Sequence, residues 1–137
     1  MADQSGTEPS RVTANGPMRV LIVEDDPLIA MDVEMAFEDA GHAVVGMART
    51  ADEAVALARR HEPSLVVMDL RLADGTSGAD AAREIRTFSG VAIAFASGNI
   101  DPAVRDELRA FEPIAMLPKP YSPNELLRAV GALPLAA

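Results

Sequence analysis

Five short apolar runs divide the chain: "RVLIV" (19–23), "AVVGMA" (43–48), "SLVVM" (64–68), "VAIAFA" (91–96) and "IAML" (114–117). Their length and β-branched content predict strands, and the near-absence of polar residues within them predicts burial on both faces. The stretches between and after them carry helix punctuation. Asp26-Pro27, Asp101-Pro102 and Ser122-Pro123 each place an N-cap acceptor before a proline at the first helical position. Thr50-x-x-Glu53 and Ser122-x-x-Glu125 fit the capping box, and a softer start lies near Gly78. Gly41 is expected to close the first helix. Arg59-Arg60-His61 places positive charge on the last turn of the second, before Pro63 stops it.

A strict alternation of apolar strands with helices predicts a parallel sheet covered on both faces. Five units give an α/β fold class: a doubly wound, flavodoxin-like domain with strand order 2-1-3-4-5. In such folds ligands sit at the carboxyl ends of the strands, so the residues that end the strands carry the functional question.

Three acids, Glu24, Asp25 and Asp26, end the first run; Asp69 ends the third, Ser97 the fourth, and Lys119 follows the fifth just past Pro118. In the expected order these strands are contiguous, so the acids, the hydroxyl and the ammonium share one rim. Asp26 is expected to cap the first helix, which leaves Glu24 and Asp25 to face Asp69. Two carboxylates about 4 Å apart repel by roughly 4 kcal/mol at an effective dielectric near 20. Either some of their protons are held more tightly or a divalent cation binds. An all-oxygen donor set with room for retained water suits Mg²⁺, and the metal is the favoured reading.

"VLIVEDD", "VVMDL", "FASG" and "LPKPY" stand in an order and spacing that resembles the receiver domain of two-component response regulators. The resemblance implies that Asp69 accepts a phosphoryl group from a sensor histidine kinase or a histidine phosphotransfer protein. It implies that Asp25, Asp69 and the backbone carbonyl of Arg71 hold Mg²⁺ directly, with Glu24 acting mainly through water. Ser97 and Lys119 would contact the phosphoryl oxygens, and the Lys119-Pro120 bond would be cis. The implied output is altered binding to a downstream protein. The chain departs from the usual receiver at Ala73, where a proline is common, in a loop one residue longer before Gly78, and at Met116, where an aromatic switch residue is usual. "FASGNI" matches the Phe-Ala-Thr-Gly-x-Tyr subgroup in part, with Ser97 and Ile100 at the positions that differ.

Composition narrows the alternatives. A chain of 137 residues with 49% hydrophobic content supports one domain, expected over 18–132 between a disordered leader (1–17) and a short tail (133–137). With no output domain after it, the expectation is a stand-alone regulator. The absence of cysteine excludes disulfides and thiolate zinc sites, and the formal charge of −9 disfavours direct nucleic acid binding. No apolar segment is long enough for a signal peptide or membrane span, so a cytoplasmic location without membrane insertion is expected. Three rivals remain. A receiver-like scaffold would work without phosphorylation. A Mg²⁺-dependent phosphohydrolase would need a substrate-binding set that the acids lack, and a flavodoxin-like cofactor binder would need a hydroxyl- and glycine-rich loop where "EDD" stands. His42 and His61 are read as turn and helix-end residues, Met31, Met35, Met47, Met68 and Met116 as core filler, and "ADGTSG" (73–78) as the loop entering the third helix.

Overall fold

The computed structural model describes residues 16–133. The expected leader and tail lie outside the described residues, apart from their innermost positions. The elements alternate without exception: β1 (Arg19–Val23), α1 (Pro27–Asp39), β2 (Ala43–Ala48), α2 (Ala51–His61), β3 (Leu65–Met68), α3 (Gly78–Ile85), β4 (Ala92–Ser97), α4 (Pro102–Leu108), β5 (Ala115–Pro118) and α5 (Pro123–Ala129). A 3₁₀ turn over Arg109–Phe111 extends α4. The strands form one parallel five-stranded sheet in the order β2-β1-β3-β4-β5, as the sequence predicts. Among the described residues no helix is long and apolar enough to cross a membrane.

Successive residues of the central strands serve opposite faces. Leu21, Val23, Val66, Met68, Ile93 and Phe95 pack with Ala54, Ala58, Ala82 and Ile85 of α2 and α3. Val20, Ile22, Leu65, Val67 and Ala94 pack with Val33 and Phe37 of α1 and Leu126 and Leu127 of α5. Each strand therefore has to be apolar along its whole length, which is why the runs do not alternate. β3, in the middle, is buried at every position, whereas the edge strands β2 and β5 are only partly covered.

The helix starts follow the punctuation. Asp26 Oδ1 accepts the Leu28 N–H at 2.9 Å, Asp101 caps α4 through the Val104 N–H, and Ser122 with Glu125 forms the reciprocal capping box. Ser77 caps α3. Thr50 accepts the Glu53 N–H as expected, but the Glu53 carboxylate reaches the Arg49 N–H at 2.8 Å instead of the Thr50 N–H, so only half of that box forms. α1 ends at Ala40 with Gly41 at φ 96°, and α2 ends as Glu62 turns left-handed before Pro63.

The methionines correct one expectation. Met68 is fully buried and Met116 packs partly against the core, but Met31 (51% exposed), Met35 (58%) and Met47 (40%) face outward. On α1 the core takes Ala30, Val33 and Phe37, which leaves Leu28 (73% exposed), Met31 and Met35 as a ridge along the opposite side. His42 is structural. It is buried, its Nδ1 accepts the Met18 N–H at 2.9 Å, and its Nε2 pairs with the Ala132 carbonyl at 2.7 Å.

Candidate functional site

The site residues are fixed by one additional rung of the sheet beyond each strand. Glu24 N–H donates to the Ala48 carbonyl at 2.9 Å, Asp69 N–H to Val23 at 3.0 Å, and Lys119 N–H to Ser97 at 2.8 Å. Sheet hydrogen bonds thus position the backbones of three residues far apart in sequence, and their side chains meet at the carboxyl rim. Gly78 makes that packing possible. A Cβ there would lie 2.0 Å from the Asp69 carbonyl oxygen and 2.7 Å from Met68 Cγ, so no side chain fits between α3 and the end of β3.

Lys119 Nζ stands 2.8 Å from Asp69 Oδ2 and 2.9 Å from Glu24 Oε1. The two carboxylates are held alike, each with its second oxygen on a backbone N–H two residues ahead. Glu24 Oε2 accepts from Asp26 at 3.1 Å and Asp69 Oδ1 from Arg71 at 3.2 Å. Both acids are almost fully buried (6% and 5% exposed), while Asp25 is half-buried and its carboxylate takes no hydrogen bond among the described residues. One oxygen from each of Glu24, Asp25 and Asp69 lies within 4.8 Å of the others.

Burial dominates the electrostatics of the rim. Burial pushes the Glu24 carboxyl up to about 7, with the Asp69 charge adding to it and the Lys119 and Asp26 hydrogen bonds opposing. Burial would lower the Lys119 ammonium, but its bonds to Asp69 and Glu24 outweigh that and raise it above the ordinary lysine range. Burial, and then the Glu24 charge, push the Tyr121 phenol up to about 12. The one lysine pairs with Glu24 and Asp69, and Asp25 stands beside them without a cation of its own among the described residues. The donor set fits a hard divalent cation: it is all oxygen, two acids are anchored, and the third is open to water.

Ser97, 2% exposed, offers its hydroxyl to no partner among the described residues, although its carbonyl accepts from Lys119. Arg71 and Ser77 face each other across a short antiparallel bridge, and the Arg71 carbonyl takes no hydrogen bond among the described residues. The Lys119-Pro120 bond is cis. His61 plays no part in the cluster. Tyr121, within the quoted "LPKPY" but given no role by the sequence, joins the site's electrostatics; only its place two residues after Lys119 signals this.

Residues 20–131 match the "Response regulator receiver domain" family. The chain belongs to that family. This receiver is similar to the phyllosphere-induced regulator PhyR of Methylorubrum extorquens, at 37% identity over 132 residues, 96% of this chain and 48% of that protein. It is also similar to the transcriptional regulatory protein PdtaR of Mycobacterium tuberculosis, at 36% identity over 114 residues, 83% of this chain and 55% of that protein. The crystal structure of the response regulator PhyR from Brucella abortus superposes with a TM-score of 0.74 at 35% identity, covering 92% of this chain and 50% of that one. The receiver thus spans about half the length of the curated relatives it matches.

Proposed function

We propose that this receiver accepts a phosphoryl group on Asp69 from a phosphohistidine of a sensor histidine kinase or histidine phosphotransfer protein, and signals by changing its binding to a downstream protein. The observation that carries the reading is the Lys119 to Asp69 pair at 2.8 Å within the cluster of Glu24 and Asp25. A carboxylate oxygen of Asp69 forms the new bond to phosphorus while the bond from phosphorus to the imidazole nitrogen breaks, and its electron pair leaves with the imidazole. Lys119 then exchanges its contact with Asp69 for one with a phosphoryl oxygen. The Ser97 hydroxyl donates to another.

Asp25, Asp69 and the Arg71 carbonyl are the proposed direct ligands of Mg²⁺, with Glu24 acting through water. When bound, the ion offsets negative charge on the transferring group. The resulting acyl phosphate is open to hydrolysis in the same site, so the modification is temporary.

The donor's approach has a suitable surface. Ile29, Asp32, Val33, Pro120, Tyr121 and Pro123 line a hollow of about 320 Å³ that reaches Lys119, and Leu28, Met31 and Met35 are exposed elsewhere on α1. Apart from Asp32 and Lys119 the lining is apolar, which suits a protein surface better than a small polar phosphoester and favours the signalling reading over the phosphohydrolase. Incubation with acetyl phosphate and Mg²⁺ followed by intact mass tests the proposal. We expect one phosphoryl adduct on the wild type and none on Asp69→Asn; an unlabelled wild type, or a labelled variant, defeats it.

A further inference from the structure

Between Asp69 and α3 the chain makes a small hairpin. Gly78 N–H donates to the Leu70 carbonyl at 3.0 Å and Leu72 N–H to the Thr76 carbonyl at 3.2 Å, leaving Arg71 and Ser77 as the bridged pair between them. Residues paired in this way exchange no hydrogen bond with each other, so the Arg71 carbonyl stays available. The turn closes through Gly75, whose φ of +80° lies in the left-handed region, with its N–H on the Leu72 carbonyl at 3.2 Å.

The hairpin is fastened from outside. The Thr76 hydroxyl oxygen accepts the Ala51 N–H at 3.1 Å, and the same hydroxyl donates to Asp74 Oδ1, which also takes the Thr76 N–H at 3.0 Å. Ala51 is the first residue of α2, and its N–H is one of the donors that a helix start leaves without an internal acceptor. Thr50, the cap of α2, is occupied by the Glu53 N–H and does not serve it. A second tie runs from the Ala73 N–H to the Arg49 carbonyl at 2.9 Å. One hydroxyl thus completes the start of α2 and anchors the loop that leaves the acceptor aspartate.

We propose that Thr76 is a positioning residue for the metal site: by fastening the hairpin to the start of α2, it fixes the Arg71 carbonyl relative to Asp69. The inference rests on the reading of Asp69 as a Mg²⁺-supported acceptor. Mg²⁺ tolerates little departure from octahedral geometry, so a ligand on a wandering loop is a poor one. Anchoring the loop beforehand removes an ordering cost that binding would otherwise carry. The Arg71 N–H, already on Asp69 Oδ1 at 3.2 Å, shows that the loop's geometry is tied to the acceptor side chain.

Thr76→Val removes the hydroxyl with little change of shape. Mg²⁺ binding by calorimetry should weaken about threefold to tenfold, the range that loss of one neutral hydrogen bond spans. Labelling by acetyl phosphate should need correspondingly more Mg²⁺ for half its maximal rate, while the rate at saturating Mg²⁺ stays within about twofold of wild type. Thr76→Ser should restore the wild-type Mg²⁺ requirement. A Val variant that binds Mg²⁺ like the wild type overturns the proposal, as does a lower saturating rate at an unchanged Mg²⁺ requirement.

If the Val variant does not fold, the wild type alone decides, because coupling between latch and metal is reciprocal. Mg²⁺ should slow exchange of the Ala51 amide; an unchanged rate overturns the proposal. A wild type that takes up neither Mg²⁺ nor phosphoryl group removes the underlying reading and this one with it, and that result appears before any substitution is made.

Discussion

Lys119 Nζ lies 2.8 Å from Asp69 Oδ2 across fifty residues of sequence, and the same ammonium lies 2.9 Å from Glu24 Oε1. It is both a counter-ion for the resting acids and the nearest cation to any group added to Asp69. Those two roles predict opposite effects of Lys119→Ala. Mg²⁺ should bind more tightly, because the acids lose their competing positive charge. Labelling by acetyl phosphate should slow about 100-fold, the scale on which loss of one preorganised donor to a developing anion is felt. Calorimetry and intact mass measure the two separately. If both fall together, Lys119 merely holds the rim in shape.

The Glu24 carboxyl, raised to about 7 in the folded protein from an ordinary 4.5, gives a pH dependence with a definite sign. The folded state binds this proton more tightly than the unfolded state does. Its contribution to stability is therefore full below about pH 4.5 and is lost as the pH rises through about 7. Between about pH 5 and about pH 8, metal-free protein should lose on the order of 2–3 kcal/mol from this group. Mg²⁺ needs the ionised acids, so its affinity should climb over the same interval and offset the loss. Urea midpoints with and without Mg²⁺ test this, with Glu24→Gln as the control that should flatten the metal-free slope. An unchanged slope in that variant assigns the effect elsewhere.

Gly78 and Asp69 form a second close relationship. A Cβ at position 78 would meet the Asp69 carbonyl oxygen at 2.0 Å and its carbonyl carbon at 2.9 Å, both backbone atoms that cannot swing aside. Gly78→Ala should therefore cost about 2–3 kcal/mol, toward the upper end for overpacking. It should also move Asp69, so that labelling falls even where the variant is fully folded. A stable, normally labelled Ala variant would mean that α3 is free to shift.

Much of this was legible in the sequence because the decisive signals are local. Asp26-Pro27, Asp101-Pro102 and Ser122-Pro123 mark helix starts through their own side chains, and unbroken apolar runs imply strands covered on both faces. The rim could be assembled because, in a parallel sheet, every strand delivers its last residue to the same edge. What failed was the choice between faces. α1, "PLIAMDVEMAFED", is apolar on more than one side, and periodicity cannot say that Val33 and Phe37 turn inward while Met31 and Met35 turn out. The Glu53 side chain also chose differently, accepting the Arg49 N–H, one residue before its expected partner Thr50. Thr76 gave no signal, since its partner Ala51 is twenty-five residues away.

His42 was read as an ordinary turn residue for the same reason, its partners being 24 and 90 residues away. Because the Met18 N–H donates to Nδ1, Nε2 is the nitrogen that donates to the Ala132 carbonyl. The ring thereby joins the entry of β1 to the segment just after α5, at the end of the sheet opposite the acids. His42→Ala leaves a buried N–H and a buried carbonyl unsatisfied and empties the space against Phe37, so it should cost about 2–4 kcal/mol. None of the site's hydrogen bonds passes through the ring, so acetyl phosphate labelling of Asp69, measured well below the melting transition, should match the wild type. A large loss of stability with normal labelling confirms a clasp remote from the chemistry. Unchanged urea midpoints would show that Met18 and Ala132 hold their places without it.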